Sequence, residues 1–294
     1  MAARYAGEES REARFCTYVK AGPSPAFLLA YNHGMTRPKK TVSLVLGSGG
    51  ARGLAHIGVI HVLEERGYEI SSIAGCSAGA LVGGIFAAGK LAEYEEWVRN
   101  LTKLDMVNLL DIAWVGGGLV KGDRIIRRMK QLVGECLIED LPIRFTAVAT
   151  ELKSGREVWL NQGPLFDAIR SSCSLPIFFT PVRYREKMLV DGGVVNPVPI
   201  APVFDDHTDL MLAVNLGGKP IKDPANDNTK DVGAAEVAYL VFDAMQSTIA
   251  RQKLAAYPPD LTIEIPRNAA RTFDVERAAE MIDLGRRAAE KVLD

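Results

Sequence analysis

Two stretches decide the fold: TVSLVLGSGGARG at 41–53 and ISSIAGCSAG at 70–79. In each, a short run rich in apolar residues, typical of a buried strand, ends at glycines. Apolar residues at helical spacing follow over 51–66 and again over 78–88. This strand–helix–strand–helix order predicts an α/β fold with a parallel sheet and crossover helices.

The composition and the hydrophobic pattern divide the chain into an N-terminal extension, residues 1–40, and a single domain, residues 41–294. The extension mixes charge, Gly and Pro without a period, and we expect it to be poorly ordered. It is either an addition upstream of Met35 or a loosely docked arm. After the first two strand–helix pairs, strands are predicted at 145–150, 188–190, 210–216 and 261–265. Helices are predicted at 92–112, 122–133, 164–172, 232–256 and 275–293.

Composition excludes several classes of function. The net charge is −1, which favours no broad attraction to nucleic acid. The four cysteines form no CxxC pair and the four histidines no HExxH, so we expect neither metal nor cofactor. Neither an uninterrupted apolar run of about 18 residues nor a signal peptide is found, which predicts a cytoplasmic protein in transient contact with a membrane surface.

The pentapeptide Gly75-Cys76-Ser77-Ala78-Gly79 has the pattern G-x-S-x-G. A nucleophilic serine on a strand-to-helix turn needs small neighbours because the backbone there is strained. The helix N-terminus also favours an ionised serine oxygen. Since the pentapeptide follows a predicted strand and opens a predicted helix, Ser77 is the candidate nucleophile; a plain glycine-rich turn is the alternative.

The glycine-rich segment Gly47–Gly53 also lies between a strand and a helix. Consecutive glycines let backbone N–H groups converge on one anion, such as the oxyanion of an acyl-transfer intermediate. A nucleotide loop is the competing interpretation, but Ser48 breaks the dinucleotide pattern and no Lys-Ser/Thr follows. The segment alone leaves both open.

A serine nucleophile needs a proton acceptor. His207 alone among the histidines follows Asp191-Gly192-Gly193, and its acidic surroundings indicate a solvated surface loop. His56 and His61 precede Ser77 and are expected to pack the first helix or orient the glycine loop. The absence of a well-placed histidine favours a carboxylate acting directly on the serine, although an Asp-Gly turn such as 191–192 is common.

Together, the ordered motifs 47–53, 75–79 and 191–193 resemble the patatin-like phospholipase family, in particular bacterial members related to neuropathy-target-esterase domains. The stretches 168–181 and 194–199 are similar too. The resemblance implies a three-layer α/β/α fold with a mostly parallel central sheet over 41–294. It implies a catalytic dyad of Ser77 and Asp191. It further implies an oxyanion hole formed by the backbone donors of Gly49, Gly50, Ala51 and Arg52, with Gly47, Gly53, Gly75, Gly79, Gly192 and Gly193 shaping the turns. Ser48, where many members carry Gly, could shift the donors.

The motifs predict a serine hydrolase, and the resemblance implies that it releases fatty acid from phospholipid, lysophospholipid or related lipid esters through an acyl-enzyme. Two alternatives remain: an esterase with a Ser77-Asp191-His207 triad, and a weakly catalytic regulatory module. Loops 104–120 and 217–231, with Trp114 and Leu119, are candidates for membrane contact. Head group, acyl length, positional preference and oligomeric state are not encoded in any readable pattern.

Overall fold

The computed structural model describes residues 39–109, 121–221 and 233–294. The predictions for most of the N-terminal extension, for Trp114 and Leu119, and for most of loop 217–231 lie outside these residues. The division into an extension and one domain therefore stays a prediction.

Eight strands and eight α-helices lie within the described residues. The strands are β1 (Thr41–Leu46), β2 (Glu69–Cys76), β3 (Arg144–Glu151), β4 (Glu157–Leu160), β5 (Val182–Tyr184), β6 (Lys187–Asp191), β7 (Leu210–Gly218) and β8 (Leu261–Pro266). The helices are α1 (Ala55–Glu65), α2 (Ala78–Ala87), α3 (Leu91–Arg99), α4 (Lys103–Leu109), α5 (Asp123–Val133), α6 (Leu165–Ser172), α7 (Ala234–Ala256) and α8 (Ala278–Leu293).

The eight strands form one mixed sheet. Strands β3, β2, β1, β7 and β8 are neighbours in that order and run parallel. The shorter strands β4, β5 and β6 pair antiparallel with their neighbours at the β3 side. The predicted mostly parallel sheet is confirmed.

Helices cover both faces of the sheet, which confirms the three-layer fold. Alternation along β1 decides the faces, because successive side chains point to opposite sides. Leu44 and Leu46 pack into the larger core with α1, α2, α6 and α8. Val45 faces the opposite side, where it packs with the segment Val198–Val203 and Ala250 of α7.

One helix predicted over 92–112 is in fact two, α3 and α4. Helix α3 ends at Arg99, and Thr102 caps the start of α4. The Thr102 hydroxyl accepts the Asp105 amide at 3.2 Å, while the Thr102 amide donates to the Asp105 carboxylate at 3.0 Å. Such reciprocal capping starts a new helix at this point. Apolar periodicity runs through both helices, so it did not reveal the break.

The arrangement of strands around β3 positions the site. Strand β4 pairs with residues 147–150 of β3, overlapping the residues that pair with both β2 and β6. Because each edge of a strand holds one partner per residue, β2 and β6 must share the edge opposite β4. They meet end to end there, with Cys76 opposite Val148 and Asp191 opposite Ala149.

Within the residues described, no helix is both long and apolar enough to cross a membrane.

Candidate active site

Ser77 lies on a sharp turn between β2 and α2. Its φ of 53° and ψ of −120° place a residue with a side chain in a region that such residues rarely occupy. Gly79 makes the turn feasible, because a Cβ at this position would lie 2.1 Å from the Leu46 carbonyl oxygen. The strain and the small neighbours are those of a nucleophile elbow.

Hydrogen bonds hold the backbone of Ser77 from both sides. Its amide donates to the Ser172 hydroxyl at 2.9 Å, and that hydroxyl donates to the Val148 carbonyl at 2.6 Å. The Cys173 thiol donates to the Ser77 carbonyl at 3.2 Å. Ser172 and Cys173 were not singled out from the sequence; they close α6, which packs against β3. The elbow is therefore fixed by its neighbours as well as by its own residues.

Asp191 ends β6 beside Ser77. Its side chain is fully buried, and one oxygen, Oδ1, accepts the Gly193 amide at 2.8 Å. The Cys76 thiol lies 3.9 Å from the same oxygen. The structure thus brings Ser77 and Asp191 together although 113 residues lie between them in the sequence.

Burial raises the pKa of the Asp191 carboxyl to about 6. The nearby Ser77 hydroxyl, the Gly193 amide and the Cys76 thiol act in the opposite direction, because each favours the ionised form. The second carboxyl oxygen, Oδ2, accepts no hydrogen bond from any of the described residues. Asp191 therefore combines raised basicity with an oxygen able to accept a proton.

The glycine-rich segment begins a short 3₁₀ helix, Gly50–Leu54, beside the elbow. The amides of Gly47, Ser48 and Ala51 donate to the carbonyls of Val214, Pro197 and Thr272, respectively. For the amides of Gly49 and Gly50, no acceptor lies among the described residues. Of the predicted oxyanion donors, Ala51 is thus corrected: its N–H is already bonded at 2.9 Å.

The side chain of Arg52 fixes the orientation of this segment. It is 2% exposed, and its Nε donates to the Gly49 carbonyl at 3.0 Å. Because the Gly49 carbonyl and the Gly50 amide belong to one planar peptide, holding the oxygen also aims the N–H. An ion pair of 2.7 Å with Asp243 on α7 holds the guanidinium in turn. The sequence indicated Arg52 only as a backbone donor.

His56 supports the same segment from α1. One ring nitrogen, Nε2, lies 2.9 Å from the Gly47 carbonyl oxygen. Complete burial lowers the pKa of His56 to about 4, so the ring is neutral at pH 7 and Nε2–H donates to that oxygen. The expectation that His56 orients the glycine loop fits this contact.

The other glycines of the motifs share one property, which is a lack of space for a side chain. A Cβ would lie within 3 Å of a neighbouring atom at Gly47, Gly53, Gly75, Gly192 and Gly193.

A cavity of about 180 Å³ opens from Ser77 and the glycine segment. Its wall is formed mainly by apolar side chains of α2 to α7, including Leu81, Trp97, Met129 and Phe242, together with Phe179 from the segment after α6. Ser77 lines this cavity, whereas Asp191 does not. The arrangement can therefore place an apolar chain next to a nucleophilic hydroxyl.

The chain is similar in sequence to several known proteins. The profile of the patatin-like phospholipase family matches residues 44–204. An NTE family protein of Mycobacterium tuberculosis is 34% identical over 92% of this chain and 95% of its own length. A lysophospholipase of Candida glabrata is 28% identical over 63% of this chain, though over only 11% of its own.

The crystal structure of VipD from Legionella pneumophila is similar in fold. It superimposes with a TM-score of 0.55 over 87% of this chain and 67% of VipD, at 16% sequence identity. At that identity the similarity concerns the fold alone.

Proposed function

This chain belongs to the patatin-like phospholipase family, and on that basis we propose that it is a serine acyl-ester hydrolase. It releases fatty acid from phospholipid, lysophospholipid or a related lipid ester. One observation carries the proposal: a fully buried carboxylate with an unpaired oxygen lies beside a serine on a strained elbow, at the end of an apolar cavity.

Acylation begins when Asp191 accepts the proton of the Ser77 hydroxyl as Oγ attacks the ester carbonyl carbon. The negative charge on the carbonyl oxygen is stabilised by the amides of Gly49 and Gly50. An amide donor of this kind lowers the barrier by about 2.7–4 kcal/mol. When the tetrahedral intermediate collapses, the ester bond breaks, and protonated Asp191 gives its proton to the leaving alcohol. Ser77 then carries the acyl group.

Deacylation repeats these steps with water. Asp191 accepts a proton from water as the oxygen attacks the acyl carbon. The bond to Ser77 Oγ then breaks, Oγ regains the proton, and fatty acid leaves. A carboxylate with a pKa of about 6 is a stronger base than an ordinary aspartate and is still mostly ionised at pH 7.

The lining of the cavity supports a fatty acyl chain as the group bound next to Ser77. Apolar side chains stabilise an acyl chain by about 0.8 kcal/mol for each methylene removed from water. Supporting observations from the comparisons are the family profile and the similarity to a lysophospholipase.

The pH dependence of kcat/KM tests the role of Asp191. Because only the ionised carboxylate accepts the serine proton, activity is present above the pKa and lost below it. We expect kcat/KM on a water-soluble ester to fall about tenfold per pH unit below pH 6. If kcat/KM began to fall only near pH 4, the carboxylate that accepts the serine proton would be an ordinary exposed one, not buried Asp191.

Replacing His207 by Ala is expected to leave kcat unchanged. His207 is exposed and lies between Asp206, which accepts the Ser43 hydroxyl, and Asp209, which accepts the Thr41 amide. Those contacts place it where β1 begins, whereas Ser77 follows the other end of β2. A triad including His207 requires the opposite result, a loss of activity comparable to that of a Ser77 variant.

A further inference from the structure

We propose that the outward face of α7 docks on an anionic phospholipid surface. This outer face consists of Val237, Leu240, Val241 and Met245. The inference rests on the proposed function, because it states how a lipid held in a membrane comes to the cavity.

Helix α7 forms part of the cavity wall. Tyr239, Phe242 and Gln246 line the cavity. Because successive residues are rotated by about 100° around the helix axis, the outer face lies on the side of α7 opposite these three residues. Since a helix with its side chains is about 10 Å across, a surface resting on the outer face would lie about that far from the cavity.

The outer face is apolar and open. Its four side chains are 45–56% exposed. The segment 237–248 contains one charged residue, Asp243, which turns inward to the buried guanidinium of Arg52. A row of exposed aliphatic side chains without interspersed charge is unusual on a helix facing water, and exposed apolar patches of this kind mark contact with a membrane or another molecule.

Ile177 extends the apolar surface beside the same helix. Its φ of 77° is unfavourable for a β-branched residue, and 49% of its side chain is exposed. The next residue, Phe178, packs against Tyr239 of α7 with ring centroids 6.1 Å apart. A strained backbone that turns an isoleucine towards solvent needs a reason, and contact with lipid supplies one.

Two arginines give the surface its charge preference. The Arg267 carbonyl accepts a hydrogen bond from Arg52, the partner of Asp243, and Phe273 packs on Phe178 at 5.2 Å. The segment 267–273 therefore follows the side of α7. Arg267 and Arg271 are exposed, and neither guanidinium forms an ion pair with any described residue. Unpaired cations beside an apolar face complement anionic head groups.

Sedimentation with vesicles tests the proposal without requiring catalysis. In a Ser77→Ala background, the protein is expected to bind vesicles of phosphatidylcholine with phosphatidylglycerol. Adding Leu240→Ser and Val241→Ser should weaken binding about tenfold, because the apolar area entering the interface falls. Adding Arg267→Ala and Arg271→Ala instead should weaken binding to these vesicles about tenfold but leave weak binding to pure phosphatidylcholine unchanged.

Phe204→Ser is the matched control. Phe204 is 44% exposed and contacts Tyr257 at the far end of α7, on the side where β1 begins. This variant should bind vesicles like the parent. With Ser77 restored, the Leu240→Ser/Val241→Ser variant should hydrolyse a water-soluble ester at the original rate. If the enzyme without docking substitutions does not hydrolyse that ester, the result counts against the proposed function and not against docking.

Two results would overturn the docking proposal. One is unchanged vesicle binding in both docking variants. The other is a dimer in analytical ultracentrifugation that the Leu240→Ser/Val241→Ser variant dissociates while its vesicle binding stays as before, which would assign the face to a second copy of the chain.

Discussion

Ser77→Ala is expected to lower kcat for lipid-ester hydrolysis by about 10⁴-fold or more. Without the hydroxyl, no acyl-enzyme can form, and only the oxyanion donors and substrate binding remain. Release of fatty acid from lysophosphatidylcholine would measure the loss. Alanine keeps the side chain small, so the fold should persist, with an unchanged circular dichroism spectrum.

Ser154→Ala is the control for this experiment. Ser154 lies in the turn between β3 and β4, where its hydroxyl donates to the Glu151 carboxylate and accepts the Arg156 amide. Its variant should retain full activity. If Ser77→Ala released fatty acid at the rate of the Ser154 variant, Ser77 would not be the nucleophile.

Asp191→Asn should lower kcat by about 10⁴-fold and at the same time stabilise the protein. The amide cannot accept the serine proton at neutral pH. The stability effect has a definite sign. Because burial raises the folded-state pKa from 3.8 to about 6, the folded protein is penalised by the ionised carboxylate above pH 6. Removing that charge should raise the free energy of unfolding by up to about 3 kcal/mol at pH 7.

The gain in the free energy of unfolding of Asp191→Asn should diminish as pH falls from 6 towards 4, because the wild-type carboxyl becomes neutral in the folded state over this range. Asp206→Asn provides the contrast, because Asp206 accepts hydrogen bonds from Ser43, Ser72 and Arg144 at the start of the parallel strands. That variant should lose stability and keep its activity. An Asp191→Asn variant that is both active and less stable would contradict the role assigned to Asp191.

The sequence contained enough to predict the fold and Ser77 because both depend on local patterns. Apolar strands ending in glycines, followed by helical periodicity, are read directly from 41–53 and 70–79. The G-x-S-x-G motif places its serine on a turn through steric demands within five residues. The observed elbow has that geometry, while the assignment of Ser77 as nucleophile awaits its test.

Features that depend on strand register could not be predicted in the same way. That β6 meets β2 end to end on one edge of β3 follows from pairing over long separations, not from local composition. The hydrogen bond from the Ala51 amide to the Thr272 carbonyl likewise joins residues 221 positions apart. Asp191 was therefore indicated by family resemblance, and its burial and raised pKa became apparent only in three dimensions.

The most direct test of the Ser77–Asp191 dyad is the rate at which a fluorophosphonate labels the protein between pH 5 and pH 8, with the labelled residue identified by mass spectrometry. The account predicts labelling at Ser77, a rate that falls below pH 6, near-complete loss of labelling in Asp191→Asn, and no change in His207→Ala. Labelling of another residue, or wild-type labelling of Asp191→Asn, would contradict it.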